Sequence, residues 1–370
     1  MKEGWTYKKL GEICEKGTSN ISLNKIEDNE GNYPLYGASG YVKSIDFFHQ
    51  SKPYIGVVKD GNGVGRVGLY PAMTSLVGTM QYIYPKGGNE IGYLKYLLIG
   101  LHLEKFKTGA AIPHIYYKDY SKSLVPVPSL REQQQIVSEL DLLSGVIEKQ
   151  KAQIEELDKL AQSIFYEMFG DPVTNEKGWE TDLLKNNVEE MFLGPFGSAL
   201  KVDSYVQSSE AYCMVYEQKH AIQATLNLEN HFINKAKFDT LSRFEVKPGD
   251  FIMSCRGTIG KIYRLPENAP KGIIHPSLMK IRIKTDAYIP LYFSDMITKI
   301  VANENTNGNC VQMAITAKAL GNKYLPLPPL SLQQEFAAKI EAIEAMKAKV
   351  RQSLKESEQL FNSRMDYYFN

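Results

Sequence analysis

Two stretches of this chain, LVPVPSLREQQQIVSEL (124–140) and YLPLPPLSLQQEFAAKI (324–340), spell one pattern twice: Pro126/Pro326, Pro128/Pro328, Leu130/Leu330, Gln133/Gln333 and Gln134/Gln334 stand 200 positions apart. Prolines hold the backbone extended and keep the residues before them out of helix, and Ser129 with Glu132 makes a helix-opening pair. A strand-to-helix boundary repeated at this spacing constrains the chain to fold as two similar halves.

The duplication reaches beyond the boundary. Gly4-Trp5 with Leu10 recurs as Gly178-Trp179 with Leu184, and NGVGRV (62–67) recurs as GTIGKI (257–262). Met80-x-Tyr82-x-Tyr84 is echoed by Met279-x-Ile281-x-Ile283, the alternation of a strand. Each half reads as a β-rich α/β (α+β) domain followed by a long helix. The expected division is 1–128 for the first domain, 129–170 for the central helix, 171–328 for the second domain and 329–370 for the distal helix.

The helices declare themselves by heptads. Ile136, Leu140, Leu143, Ile147, Ile154, Leu157 and Ile164 recur in steps of three and four along the central helix, with Gln150, Ala161 and Met168 filling the remaining seam positions. Phe336, Ile340, Ile343, Val350, Leu354 and Phe361 continue the pattern in the distal helix, interrupted by Lys347, Ser357 and Arg364. Each stripe needs a partner, and the other helix supplies it. An antiparallel coiled coil of ~40-residue helices, about 60 Å long at ~1.5 Å per residue, would set the two domains at its ends about an approximate two-fold axis. MFGDPVTNEKGW (168–179) is the expected hinge, with Gly170 as helix cap and Pro172 as breaker.

A chain of 370 residues with 43% hydrophobic and 23% charged residues is globular and long enough for two cores. No apolar run approaches a membrane span and the N-terminus MKEGWTYKKL lacks a signal core, so a cytoplasmic location is expected. Cys14, Cys213, Cys255 and Cys310 have no metal-binding spacing and read as ordinary buried thiols. The net charge of +1 conceals segregation: Lys235–Lys284 holds eleven basic against four acidic residues, Lys43–Lys107 eight against four, and Arg131–Gly170 four against eight. Two basic blocks suit two polyanion-binding surfaces, since clustered cations rather than their sum attract phosphates.

Catalytic signatures are missing. There is no cofactor-binding glycine loop opening a helix, no Asn/Asp-Pro-Pro-aromatic strip, no nucleotide-triphosphate loop and no His-x-x-x-His pair. GASG (37–40) and DGNGVG (60–65) read as turns. Glu217 and Lys219, with Asp203 upstream, are the nearest approach to a metal-dependent nuclease, which stays open as an alternative. A coiled-coil scaffold or inhibitor that touches no DNA is another. The first reading is a chain that binds and positions.

The tandem halves, the PVPSLREQQQIV and PLPPLSLQQEFA boundaries and GPFGSALKVDSY (194–205) together resemble the specificity subunit of type I restriction–modification systems, and the likeness covers the whole chain. It implies a non-catalytic DNA-specificity subunit with two target recognition domains, each reading half of a split double-stranded DNA sequence. The helices would act as spacer and as docking surface for two modification subunits, with restriction subunits joining them and no membrane involved. It further implies no cofactor in this chain: S-adenosylmethionine, ATP and Mg would belong to the partner subunits, which carry the DNA methylation and endonuclease activities.

Candidate DNA contacts follow from the repeated segments. In YIGVVKDGNGVGRVGLY (54–70) a glycine turn between strands places Lys59, Asn62 and Arg66 at one rim, and FIMSCRGTIGKIYRL (251–265) places Arg256, Thr258 and Lys261 correspondingly. Ser198 and Lys201 follow the Gly-Pro-Phe-Gly turn as phosphate contacts. Lys107, His114, Tyr116 and Lys118 mix basic and aromatic groups before the first boundary, and Asn309 and Gln312 offer amides suited to adenine edges. A plain hairpin explains the glycine turns equally well at this level. Glu148, Lys149, Lys151, Glu155 and Glu156 on the central helix face either solvent or a docked subunit.

Overall fold

A computed structural model describes residues 4–109, 112–306 and 315–370, and in it both boundary motifs behave as their prolines require. Leu124–Val127 is extended and pairs antiparallel with Thr6–Lys9; Tyr324–Pro326 pairs in the same way with Thr181–Leu183. Each is a two-stranded sheet, where a proline costs no interior ladder bond. The helices then run Leu130–Phe169 and Leu330–Phe369. At the first, the Ser129 amide donates to Glu132 Oε2 at 3.0 Å and the Glu132 amide donates back to Ser129 Oγ at 3.3 Å, closing the expected capping box.

The repeated glutamine has a structural purpose. Gln133 is buried; its Oε1 accepts from the Glu90 amide at 2.9 Å and its Nε2 donates to the Pro128 carbonyl at 3.1 Å and Asn89 Oδ1 at 2.9 Å. Gln333 repeats this, accepting from the Ile289 amide at 2.8 Å and donating to Pro328 O at 2.9 Å and Ala287 O at 3.1 Å. One carboxamide thus ties the proline segment, the long helix and the start of a second helix (Ile91–Gly100 or Pro290–Thr306) together. Only a side chain with both a donor and an acceptor satisfies these buried backbone groups.

The chain forms two compact units, residues 1–153 with 350–370 and residues 154–349. In the first, an antiparallel four-stranded sheet runs in the order Cys14–Thr18, Met80–Pro85, Tyr54–Val58, Val67–Tyr70, beside a three-stranded sheet of Gly40–Ile45, Tyr33–Gly37 and Ser75–Leu76. The second repeats the first sheet as Val188–Leu193, Leu278–Ile283, Phe251–Ser254, Ile262–Arg264. Its other sheet has four strands, His231–Ile233, Cys213–Tyr216, Gly272–Ile274 and Glu245–Val246.

Each unit combines the opening of one long helix with the closing turns of the other. In the first unit Ile136 and Leu140 are buried with Met365 and Phe369, and the Phe369 ring lies 5.5 Å from Tyr93. In the second, Phe336, Ile340 and Ile343 are buried with Phe165 and Phe169, and Phe169 lies 4.5 Å from Tyr292. Within each unit the helices are antiparallel: Arg364 Nη2 donates to Glu139 Oε2 at 3.0 Å and Gln150 Nε2 to Ser353 Oγ at 2.8 Å in the first, while Lys347 meets Asp158 at 2.5 Å in the second. Of the predicted seam, Leu143, Ile147, Ile154, Leu157, Ile164, Val350, Leu354 and Phe361 are half-buried. Lys347, which interrupts the pattern in sequence, is itself buried, paired by Asp158 and Glu344. A buried lysine with its own partner fixes helix register, because a slipped pairing strands the charge. Gly170 closes the central helix at φ +73°, as expected of a cap.

Cys14, Cys213 and Cys255 are buried, and burial pushes their thiols up to about 11, 11 and 12, well away from reactive thiolates. Among the described residues, no helix is long and apolar enough to cross a membrane.

Candidate nucleic-acid interface

In the first unit the turn after Tyr54–Val58 is knitted to the segment before the boundary. The Ile115 amide donates to Lys59 O at 2.9 Å and the Gly61 amide to Pro113 O at 2.9 Å. His114 thereby comes beside the turn, its Nδ1 2.7 Å from Asp60 Oδ1, and its ring stacks on Tyr116 with centroids 6.4 Å apart. Lys118 lies over the other partner in this row, 5.2 Å from the Tyr116 ring. Lys59, His114, Tyr116 and Lys118, scattered over sixty positions of sequence, therefore make one surface. Lys59, Tyr116 and Lys118 also line a pocket of about 270 Å³ with Lys16, Thr18 and Gln81, none of which the sequence patterns single out. Asn62 and Arg66 are exposed on the turn, and Arg66 folds back, donating to Asn62 O at 3.2 Å and Gly63 O at 3.3 Å. Lys107 is exposed one residue before Thr108, whose amide donates to His114 O at 2.9 Å.

The second unit holds its turn differently. The Gln218 carboxamide donates to Arg256 O at 2.6 Å, and Ser254 Oγ to Thr258 O at 2.5 Å, leaving Arg256, Thr258 and Lys261 exposed. Ser198 and Lys201 are exposed on their loop, with Phe196 at 88% exposure beside them. That loop is pinned at both ends to the same corner. At one end a Cβ on Gly194 would run into the His275 carbonyl, and at the other Tyr205 stacks on His231 with centroids 4.6 Å apart. The His275 amide donates to Tyr216 O at 2.8 Å, so the loop and the glycine turn border one corner, Tyr216–Gln218. Asn309 and Gln312 lie outside the described residues.

Backbone hydrogen bonds fix how the two turns correspond. Val58 accepts from Gly65 at 2.9 Å and donates to Arg66 O at 2.9 Å; Ser254 accepts from Gly260 at 2.8 Å and donates to Lys261 O at 2.8 Å. Ile115 donates to Lys59 O as Ile315 donates to Cys255 O. Lys261 therefore matches Arg66, as expected. Cys255, buried, and not Arg256 stands at the Lys59 position; Arg256 matches Asp60. The sequence alignment by glycines misplaces this residue because the second turn is one residue shorter.

The basic blocks also need correction as a guide to surface. In the second, Lys280 is 4% exposed and bonded to Glu190, with Asp250 Oδ2 at 3.3 Å, and Arg282 clasps Asp250 at 2.6 and 2.8 Å. The Lys280 ammonium holds the Glu190 carboxyl below its ordinary range. These cations staple strands, and a block count cannot separate them from Arg256 or Lys261. Glu217, the residue of the nuclease alternative, is engaged by Lys219 at 2.9 Å and His231 at 3.0 Å, which hold its carboxyl below the ordinary range against the opposing effect of burial. Among the described residues no group of three or more His, Cys, Asp or Glu could hold a metal ion.

Two β-rich domains, each with an exposed glycine-turn rim and each carried on paired long helices, define a tandem DNA-recognition protein. The chain belongs to the type I restriction modification DNA specificity domain family, whose model matches residues 2–159 and 210–357. The family is the non-catalytic DNA-recognition component of type I restriction–modification systems, and the nuclease and scaffold alternatives are not favoured. Its partners, by that membership, are DNA and the modification and restriction subunits. A putative type I restriction enzyme MjaX specificity subunit of Methanocaldococcus jannaschii is 26% identical over 408 residues, covering 97% of this chain and 91% of the relative. The Escherichia coli EcoDI specificity subunit is 26% identical over 159 residues, 42% of this chain and 35% of the relative. The fold is shared with the M. genitalium S subunit crystal structure (TM-score 0.59, 14% identity, 99% of this chain and 96% of that one). It is shared also with a chain from a structural study of type I R-M complex assembly and conformational transition (TM-score 0.61, 18% identity, 99% and 97%).

Proposed function

We propose that this chain reads a split double-stranded DNA sequence, one half with residues 1–128 and the other with residues 171–328, and carries two modification subunits on the helices of residues 129–170 and 329–370. The observation that carries this reading is the matched placement of Arg66 and Lys261, exposed cations on the same backbone position of the two glycine turns. A scaffold needs the turn but not a cation at its exposed position in both copies. Lys59, Asn62, Lys107, His114, Tyr116 and Lys118 extend the first contact surface, and Ser198, Lys201, Arg256 and Thr258 the second; for Asn309 and Gln312, outside the described residues, the proposed role rests on their amide chemistry alone.

Docking of two modification subunits is supported by a repeated exposed leucine. Leu160 and Leu360 stand 200 positions apart and are 46% and 50% exposed, each four residues after an exposed glutamate, Glu156 or Glu356. Repetition of an exposed apolar residue suits two equivalent contacts. S-adenosylmethionine, ATP and Mg act on the partner subunits, with no cofactor in this chain, and the assembly works in the cytoplasm where its DNA is.

The test is to map methylated bases in a random DNA library modified by this chain co-expressed with its modification subunits. A split motif is expected, with the first half changing when residues 1–128 are exchanged and the second when 171–328 are exchanged. A continuous motif, or none, overturns the reading.

A further inference from the structure

The pocket of about 270 Å³ in the first unit is lined by Lys16, Thr18, Lys59, Gln81, Tyr116 and Lys118, with Asp60 as its carboxylate. Lys16 and Thr18 point to the same side of the strand Cys14–Thr18, two residues apart, and Gln81 is paired directly across from Thr18. Asp60 is engaged by His114 Nδ1 at 2.7 Å and Lys59 at 3.5 Å, so of the three lysines bordering the space Lys59 is matched by the carboxylate and Lys16 and Lys118 carry the positive excess.

The second unit shows what the scaffold requires at these positions. Val57 pairs with Gln81 as Met253 pairs with Met279, and Thr18 pairs with Gln81 as Leu193 pairs with Met279, so Gln81, and not the Met80 of the sequence echo, is the counterpart of Met279. In register, Lys16, Thr18, Lys59 and Gln81 are replaced by Met191, Leu193, Cys255 and Met279, which all pack in or against the apolar core there. The fold closes this position with hydrophobic side chains and has no need of a polar cavity. The Gln81 carboxamide donates to the Tyr120 hydroxyl and keeps its oxygen for the pocket, and Lys118 has a counterpart in Lys318; what the first copy adds is Lys16, Lys59 and the Thr18 hydroxyl, polar groups at positions the second copy fills with apolar ones, and they serve something that enters.

We propose that this pocket takes a phosphate of the DNA backbone, an anchoring contact made by the first half and lacking in the second. The ligand chemistry is a phosphoryl group: ammonium and hydroxyl donors suit its oxygens, and the excess of positive charge matches its own. Such a contact positions the domain on the duplex without carrying sequence information. The proposal rests on the DNA-reading role proposed above.

The experiment uses the full chain assembled with its modification subunits and measures DNA affinity across a salt series. Lys16→Gln removes one charge with little change in shape, and the triple variant Lys16→Met, Thr18→Leu, Gln81→Met installs the residues of the second copy. Both are expected to weaken binding to every sequence alike and to lower the salt slope by about 0.9, the amount for one phosphate, while the methylated motif is unchanged. An unchanged slope in Lys16→Gln overturns the proposal, as does a change of motif confined to the first half, which would make the pocket a base reader. Stabilisation by inorganic phosphate that Lys16→Gln abolishes, with DNA affinity intact, assigns the pocket to a free anion and also overturns it. Arg256→Ala with Lys261→Ala is the control. If these weaken DNA binding and the pocket variants do not, the pocket assignment alone fails; if neither set does, the DNA-reading assignment fails with it.

Discussion

Replacing Gln333 by methionine isolates the device that the repeated motif encodes. The side chains are close in volume, so the core loses no packing, but three hydrogen bonds go: the Ile289 amide loses its acceptor at 2.8 Å, and Pro328 O and Ala287 O lose a donor at 2.9 and 3.1 Å. Gln333 is fully buried, so water cannot replace what is lost without opening the junction. A buried polar group left unpaired costs about 1–3 kcal/mol. A carbonyl is the more tolerant partner, because its second lone pair finds other contacts. Counting the amide in full and the two carbonyls in part gives about 2–4 kcal/mol for Gln333→Met. For a unit of this size that corresponds to roughly 4–16 °C in melting temperature. The informative assay is native-state hydrogen exchange at Ile289 and along residues 290–303, with the denaturant midpoint as the global measure. Exchange of the Ile289 amide should accelerate by at least about tenfold, equivalent to ~1.4 kcal/mol. Gln133→Met should do the same at Glu90. A loss below about 0.5 kcal/mol in both variants, with Ile289 protection intact, would refute the argument that the carboxamide holds the junction.

Other consequences are open to test. Phe369→Ala removes a buried ring from between Tyr93 and Gly100 and should cost about 3 kcal/mol, read as faster exchange in residues 91–100; a cost below about 1 kcal/mol would mean that the closing turn is not part of that core. Gly194→Ala drives a Cβ into the His275 carbonyl, so it should destabilise the second unit by about 2 kcal/mol and weaken DNA binding through the displaced Ser198 and Lys201 loop, whereas an unchanged melting temperature and affinity would discount the close approach. Burial holds the His275 imidazole below its ordinary range, and its Nδ1 accepts from the Ser277 amide at 3.2 Å. The unfolded chain then binds the proton more tightly, so this contribution is whole above about pH 6.5 and falls as pH drops below it. His275→Gln should flatten the stability profile between about pH 7.5 and 5.5, and an unaltered profile would assign the dependence to other groups.

The sequence alone carried the architecture, because its signals are local. Prolines restrict their own neighbours, heptads require only a partner stripe, and a duplication leaves its marks in order along the chain. Ser129 and Glu132, the boundary strands, the two long helices and the cap at Gly170 all stand where such rules put them. The exposed cation shared by Arg66 and Lys261 was legible for the same reason, as part of a repeated turn.

Tertiary structure decided what depends on residues meeting from afar. Lys280 and Arg282 count as surface charge until Glu190 and Asp250 are found beside them. Lys347 looks like a defect in the seam until Asp158 arrives from the other helix. The packing of Phe165 and Phe169 against Tyr292, and of Met365 and Phe369 in the core of Tyr93, follows from each helix ending in the unit that the other begins. The offset of Arg256 and the polar pocket around Lys16 appear only once strand register is known, since backbone pairing, which a linear motif does not record, decides which residues stand at matching positions of the two copies. A linear pattern records what each residue prefers; which charge is neutralised, and which cavity stays open, is set by the neighbours that folding brings to it.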